Sequence, residues 1–160
     1  MTIYFAKVKA QGIIPSKRLE DGAFDIYACF EEPFMQLLPH ETKMIPTGIA
    51  SAFSNDYVAV IKERGSTGSK GIGQRCGVID SGYRGEWFIA ITNHNEEPLV
   101  IAKPEVAADF PDAMVYPYEK AICQCLMVEV PKLQIKEKTY DELLEMKSER
   151  GAGALGSSGK

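Results

Sequence analysis

The chain has 160 residues, 45% of them apolar and 25% charged, with a formal net charge of −4. These values fit one globular domain with a core of its own and exclude a disordered or fibrous chain. The Lys and Arg residues are scattered, which excludes a nucleic-acid-binding surface, because phosphate neutralisation needs clustered cations. No apolar run is long enough to span a membrane, and MTIYFAKVKA lacks the continuous apolar stretch of a secretion signal. The expected location is therefore the cytoplasm, with Cys29, Cys76, Cys123 and Cys125 reduced and mostly buried. Their spacing fits neither a zinc pair nor a disulfide framework.

Short strand-type runs lead the chain: Ile3 to Val8, Phe24 to Cys29, Thr42 to Ile45 and Tyr57 to Ile61, with a tight turn at Pro46, Thr47 and Gly48. In the run GVIDSGYRGEW, Val78 and Ile79 read as a strand end, Ser81 and Gly82 as turn formers, and Trp87 to Thr92 as a half-buried strand returning in a hairpin. Leu99 to Ala102 is a further strand. Ala102 to Tyr118 holds Pro104, Pro111 and Pro117 without a clean period and reads as a long loop or insertion. Ile122 to Val130 is the last strand, and its alternation places Cys123 and Cys125 on one face and Gln124 on the other. Many short strands at such spacing predict an all-β barrel or sandwich.

One helix follows. Thr139 with Glu142 three residues on is a capping box, and the pattern extends to about Ser148. From Arg150 to Lys160 the chain carries Gly151, Gly153, Gly156 and Gly159, a tail expected to be flexible until a ligand orders it. The division expected is a barrel domain over 1–149 and a mobile segment over 150–160. The ending lacks the glycine pattern and strand-to-helix setting of a Walker loop. Its Gly and Ser amides, with Arg150 and Lys160, are still suited to phosphate oxygens.

Asp80 can take a proton and Tyr83 can wall a sugar pocket, yet an Asp before a Ser-Gly turn is by itself only a turn residue. The wider pattern decides. DGAFDIYA (Asp21 to Ala28), ERGSTGSKG (Glu63 to Gly71), GVIDSGYRGE (Gly77 to Glu86), ICQCL (Ile122 to Leu126) and RGAGALGSSG (Arg150 to Gly159) stand in that order and resemble the five motifs of the homotrimeric dUTPases. The resemblance spans nearly the whole chain.

It implies a jelly-roll-like β-barrel and hydrolysis of dUTP to dUMP and pyrophosphate with Mg²⁺, in a homotrimer whose active sites are shared between subunits. On that resemblance Asp80 is the general base for the attacking water, and the Tyr83 ring leaves no room for a ribose 2′-OH. Asp25 would hold magnesium through water. Arg64, Gly65, Ser66 and Gln124 would serve the phosphates, while Gln74, Gly77 and Ile79 would line the base pocket, whose uracil selection rests largely on backbone groups. Arg150 would bind the terminal phosphate, with Leu155, Gly156, Ser157 and Ser158 closing over the substrate.

The chain also departs from the family pattern. Gly65 stands where a serine is common, Ala121 where a basic residue is frequent, Gly82 for an acidic residue, and Leu155 where a phenylalanine usually stacks on uracil. Two rivals follow from the same residues: a dCTP deaminase on this fold, which Glu86 keeps open, and a non-enzymatic protein that docks a regulatory partner through Ala102 to Tyr118.

Overall fold

Alternation is the rule that builds the first strands. In Ile49–Phe53 the side chains of Ile49, Ser51 and Phe53 are buried while Ala50 and Ala52 are half-exposed, as a pleated strand with one face on a core requires. A computed structural model describes residues 2–153. These residues form two compact units, one ending at Val130 and one starting at Pro131.

The first unit holds twelve strands. They are β1 (Ile3–Lys7), β2 (Phe24–Ile26), β3 (Phe34–Leu37), β4 (Thr42–Pro46), β5 (Ile49–Phe53) and β6 (Tyr57–Lys62), then β7 (Ile72–Arg75), β8 (Val78–Ile79), β9 (Phe88–Asn93), β10 (Leu99–Ala102), β11 (Met114–Pro117) and β12 (Cys123–Glu129). They pair as β1-β5, β11-β10-β3, β2-β12-β6-β8 and β4-β9-β7. Every pairing is antiparallel except β10 with β11. Because most pairs join distant segments, the sheets curl around a shared core as a jelly-roll-like fold. Ile26, Leu37, Ile61, Trp87 and Ile91 fill that core, and Phe5 packs edge-on against both Phe24 and Trp87 at 5.6 Å.

Several expectations are corrected here. Val78–Ile79 and Phe88–Asn93 do not form a hairpin with each other: β8 pairs with β6, and β9 with β4 and β7. The intervening loop crosses between sheets and is pinned at its far end, where Trp87 N–H donates to the Ile49 carbonyl at 2.8 Å. Strand β9 is not half-buried. Flanked on both edges, it buries every residue from Ile89 to Asn93, and Thr92 reaches partners at Thr42 (2.7 Å) and Arg75 (3.0 Å).

The stretch from Ala102 to Tyr118 is no simple loop. Pro104 opens a 3₁₀ turn over Pro104–Asp109, and Met114–Pro117 runs parallel to β10. Prolines mask both in the sequence, since a proline is tolerated in the first turn of a helix and at a strand end. The strand from Phe24 stops at Ile26 rather than Cys29, where the chain turns away and Cys29 N–H bonds the Pro46 carbonyl at 2.7 Å. Strands β3, β5 and β7 are additions to the sequence reading.

The second unit carries helix α2 (Tyr140–Leu144). Its capping box forms as expected: Glu142 N–H donates to Thr139 Oγ1 at 3.3 Å and Thr139 N–H to Glu142 Oε2 at 2.8 Å. The helix ends at Leu144, short of Ser148; among the described residues it buries none of its side chains, and a helix this short without a packed face does not extend itself. Ser148 instead takes the N–H groups of Arg150 and Gly151 on its hydroxyl. Among the described residues no helix is long and apolar enough to cross a membrane.

Candidate active site

Strand register brings the first cleft together. Asp25 on β2 lies opposite Gln124 on β12, which lies opposite Lys62 on β6, and Arg64 follows two residues later. Arg64 begins α1 (Gly65–Gly68), a single turn closed by Thr67: its hydroxyl accepts from Arg64 N–H at 3.0 Å and donates to the Arg64 carbonyl at 3.1 Å. The turn directs the guanidinium back over the sheet. There it holds Asp25 by a hydrogen bond from Nη2 to Oδ2 at 3.1 Å and an ion-pair contact of Nε with Oδ1 at 2.9 Å.

Gln124 donates one amide hydrogen to the Glu63 carbonyl at 2.7 Å and keeps a second for the cleft. Its burial phase is the expected one: Cys123 and Cys125 face the core, and Gln124 does not. Beneath, the Tyr116 hydroxyl donates to the Ala121 carbonyl at 2.6 Å, and burial raises its phenol above the usual value.

This cleft has a volume of about 780 Å³, and Gly65, Ser66, Ser16, Lys17, Arg18 and Asp21 also line it. Two hydrogen bonds from the Arg18 guanidinium, at 3.0 Å each, and one from its backbone N–H at 3.1 Å hold the Asp21 carboxyl below its usual range. Nothing lies within 4 Å of a Cβ built on Gly65, so the departure from serine there loses a hydroxyl without any steric demand for glycine. The first N–H groups of a helical turn lack intrahelical partners, and here they border a cleft lined by Lys17, Arg18 and Arg64 together with Asp21 and Asp25. The arrangement suits a phosphorylated ligand.

A second, smaller cleft of about 280 Å³ is lined by Asp80 and Tyr83 with Met44, Val78, Ile79, Glu86 and Phe88. Tyr83 is 45% exposed, its hydroxyl donating to the Glu86 carbonyl at 2.9 Å. Its ring lies over Gly85, where a Cβ would sit 2.4 Å from the phenol oxygen. Met44, Val78 and Phe88 are exposed apolar side chains. One wall of this cleft is therefore a carboxylate and the other is greasy, a pairing suited to an uncharged ring beside a reacting centre.

The two clefts share no lining residue. Their strands β2 and β8 are opposite edges of one sheet, three strand spacings or roughly 14 Å apart. One chain thus brings together Asp25, Arg64, Gly65, Ser66 and Gln124, and separately Ile79, Asp80 and Tyr83.

Gln74 and Gly77 line neither cleft. Gln74 N–H donates to Glu63 Oε1 at 3.1 Å, and its side chain packs over Gly77, where a Cβ would also meet the Ile61 carbonyl at 2.6 Å. Arg150 lies in the second unit, its Nε donating to the Gly153 carbonyl at 3.0 Å. Leu155, Gly156, Ser157 and Ser158 lie outside the described residues.

Sequence reading passed over Lys17 and Arg18 as cleft residues, and Met44 and Phe88 as walls. The Lys-Arg pair just ahead of the Asp25 motif was the available signal. Phe88 offered one too, as a large apolar side chain out of phase with Ile89 and Ile91.

An all-β protein with a polar cleft around the Arg64–Asp25 pair and a separate carboxylate-aromatic cleft is the class these features define. The dUTPase family profile matches residues 10–109. A deoxyuridine 5'-triphosphate nucleotidohydrolase of Herminiimonas arsenicoxydans is 34% identical over 143 residues, covering 87% of this chain and 83% of that protein. A mutant dUTPase of Staphylococcus bacteriophage 80alpha, solved with dUpNHpp, superposes with a TM-score of 0.73 at 22% identity over 99% of both chains. A mutant dUTPase from phage phi11 of S. aureus, described as revealing coordination of a structural Mg(II) ion, gives 0.68 at 19% identity over 86% of this chain and 97% of its own. The chain belongs to the dUTPase family.

Proposed function

We propose that the protein hydrolyses dUTP to dUMP and pyrophosphate as a homotrimer, each active site joining the Arg64 cleft of one subunit to the Asp80 cleft of another. The observation that carries this reading is the separation of the two clefts within one chain. A base that activates water must lie one hydrogen bond from that water, and the water must lie in line with the attacked phosphorus. Roughly 14 Å of sheet between the two edges leaves neither cleft sufficient by itself. A closed ring of like subunits supplies the missing half at every interface.

In the assembled site Asp80 accepts the proton of the water that attacks the α-phosphate. No described residue donates to its carboxylate or pairs with it, so it is available to that water. The Tyr83 ring, fixed through its hydroxyl, excludes a ribose 2′-OH by occupying its space. Arg64, Ser66 and the second amide hydrogen of Gln124 hold phosphate oxygens. Gln74, Gly77 and Ile79 frame the base, while Arg150 with Leu155, Gly156, Ser157 and Ser158 closes over the triphosphate and excludes water.

The donor set suits a magnesium ion carried in on the substrate. Among the described residues no three His, Cys, Asp or Glu side chains form a cage, and the Asp25 oxygens already face Arg64. Asp25 would therefore hold the ion through its water ligands by its remaining lone pairs. When bound, magnesium neutralises charge on the phosphate oxygens. The product dUMP and the lowered dUTP pool would serve thymidylate supply and DNA integrity in the cytoplasm.

The test is release of pyrophosphate from dUTP, lost with a chelator and restored by Mg²⁺, with dCTP, dTTP and UTP turned over far more slowly. Asp80→Asn is expected to fold and bind a non-hydrolysable dUTP analogue while turnover falls by roughly 10²-fold or more. Ammonia release from dCTP would replace this reading with a deaminase. Full activity in Asp80→Asn would remove Asp80 from its role.

A further inference from the structure

We propose that Glu86 is a positioning residue: its carboxylate latches the Asp80–Glu86 loop to the Pro46–Gly48 turn, and so sets the Tyr83 ring that discriminates against a 2′-OH. The inference rests on the function proposed above and adds a residue to which that function assigns no part.

Geometry carries the argument. Glu86 Oε1 accepts the Gly48 N–H at 2.8 Å, and the Glu86 side chain is only 13% exposed. Lys9 Nζ approaches the same oxygen at 3.8 Å. One residue on, the Trp87 carbonyl accepts both the Thr47 N–H at 3.2 Å and the Thr47 hydroxyl at 2.7 Å. The Asp80–Glu86 loop crosses between sheets without pairing to either, so these bonds at Glu86 and Trp87 register its end. Within the loop, Glu86 supplies the side-chain bond to that turn. Its own carbonyl is the acceptor for the Tyr83 hydroxyl at 2.9 Å. Carboxylate and carbonyl of one residue thus join the turn to the tyrosine.

The turn is a fixed peg. Gly48 has φ +68°, and a Cβ there would sit 2.7 Å from Cys29 Sγ and 3.1 Å from Gly12 Cα. Its carbonyl is taken by the N–H groups of Val8 at 2.7 Å and Lys9 at 3.2 Å. With both sides of the turn engaged, Glu86 is held against a support that has no freedom to follow the loop. An acceptor held by a backbone N–H also explains why a carboxylate beside Asp80 need not act on the substrate.

The sharpest comparison is Glu86→Ala against Glu86→Gln, with Lys9→Met as a control. A glutamine oxygen still accepts the Gly48 N–H, so Glu86→Gln is expected to retain most of the wild-type behaviour. Glu86→Ala is expected to lower kcat/KM for dUTP about tenfold, the change one charge-assisted hydrogen bond represents, and to raise UTP turnover relative to dUTP. Lys9→Met is expected to leave both unchanged.

Hydrogen exchange of the peptide spanning Pro46–Gly48, followed by mass spectrometry, reads the latch without activity. Protection is expected in the wild type and in Glu86→Gln and is lost in Glu86→Ala. A Glu86→Ala protein with an unchanged dUTP-to-UTP ratio, or a Glu86→Gln protein as impaired as Glu86→Ala, overturns the proposal. Should the wild type hydrolyse no dUTP, the proposed function fails, while unaltered exchange in Glu86→Ala separately sinks the latch.

Discussion

Mixing two inactive variants tests the shared site directly. Asp80→Asn damages only the small cleft, and Arg64→Met only the large one. Each alone is expected to lose roughly 10²-fold or more in kcat. If the variants are unfolded together in equal amounts and refolded into trimers, half of the subunits on one side of any interface carry an intact Asp80. Independently, half on the other side carry an intact Arg64. About one interface in four then holds both, and the mixture recovers about a quarter of wild-type activity. The assay is pyrophosphate release before and after co-refolding, with the trimer confirmed by light scattering. Asp80→Asn mixed with Tyr83→Ala is the control: both lesions fall in the same cleft, so no interface is whole and activity stays at the mean of the two parents. A co-refolded Asp80→Asn and Arg64→Met sample no more active than the mean of its parents would place both halves of the site within one chain.

Other consequences follow from single residues. Tyr83→Ala removes the ring over Gly85 and should reduce the preference for dUTP over UTP at least about tenfold; an unchanged kcat/KM ratio would remove the tyrosine from sugar selection. In a thiol titration of the native protein the exposed Cys76 should react at once and Cys29, Cys123 and Cys125 only on unfolding, so fast modification of all four would contradict the burial pattern. Burial pushes the Cys125 thiol up to about 12 from 9.0, so the unfolded chain loses this proton first as pH rises. Stability should fall between about pH 9 and about pH 12, and urea midpoints of Cys125→Ala should show a shallower fall. Backbone N–H groups of Glu63 itself and Gln74 hold the Glu63 carboxyl below 4.5. Its contribution is present above that pH and lost below it, and Glu63→Gln should weaken the acid dependence of the unfolding midpoint.

What was legible in the sequence is what local physics decides. The phase of Cys123, Gln124 and Cys125 follows from the two-residue period of a strand, and the Thr139–Glu142 cap from four consecutive residues. Elements fixed by distant partners were not legible. Met114–Pro117 is a strand because β10 lies beside it, and nothing between its flanking prolines announces that pairing. The return of Trp87 to Thr92 reads as a hairpin because the segments are neighbours in the chain. Val78–Ile79 pairs instead with Val60 and Ala59, 18 and 20 residues upstream. The length of α2 failed for another reason, since Leu143 and Leu144 keep helical spacing yet stay exposed among the described residues.

The motif residues were legible as a set, yet motif order carries no information about which of them share a cleft. Asp25 precedes Arg64 by 39 positions and Asp80 follows it by 16, so distance along the chain would pair Arg64 with Asp80. The sheet reverses this. β12 inserts between β2 and β6, so that Gln124 joins Asp25 to the end of β6 and Arg64 folds back onto the carboxylate. Asp80 leaves by the other edge through β8. Sheet order therefore turns the nearer residue into the more distant one. The same antiparallel pairing that builds the Arg64 cleft removes the general-base candidate from it, and that is why the proposed chemistry requires an interface between chains.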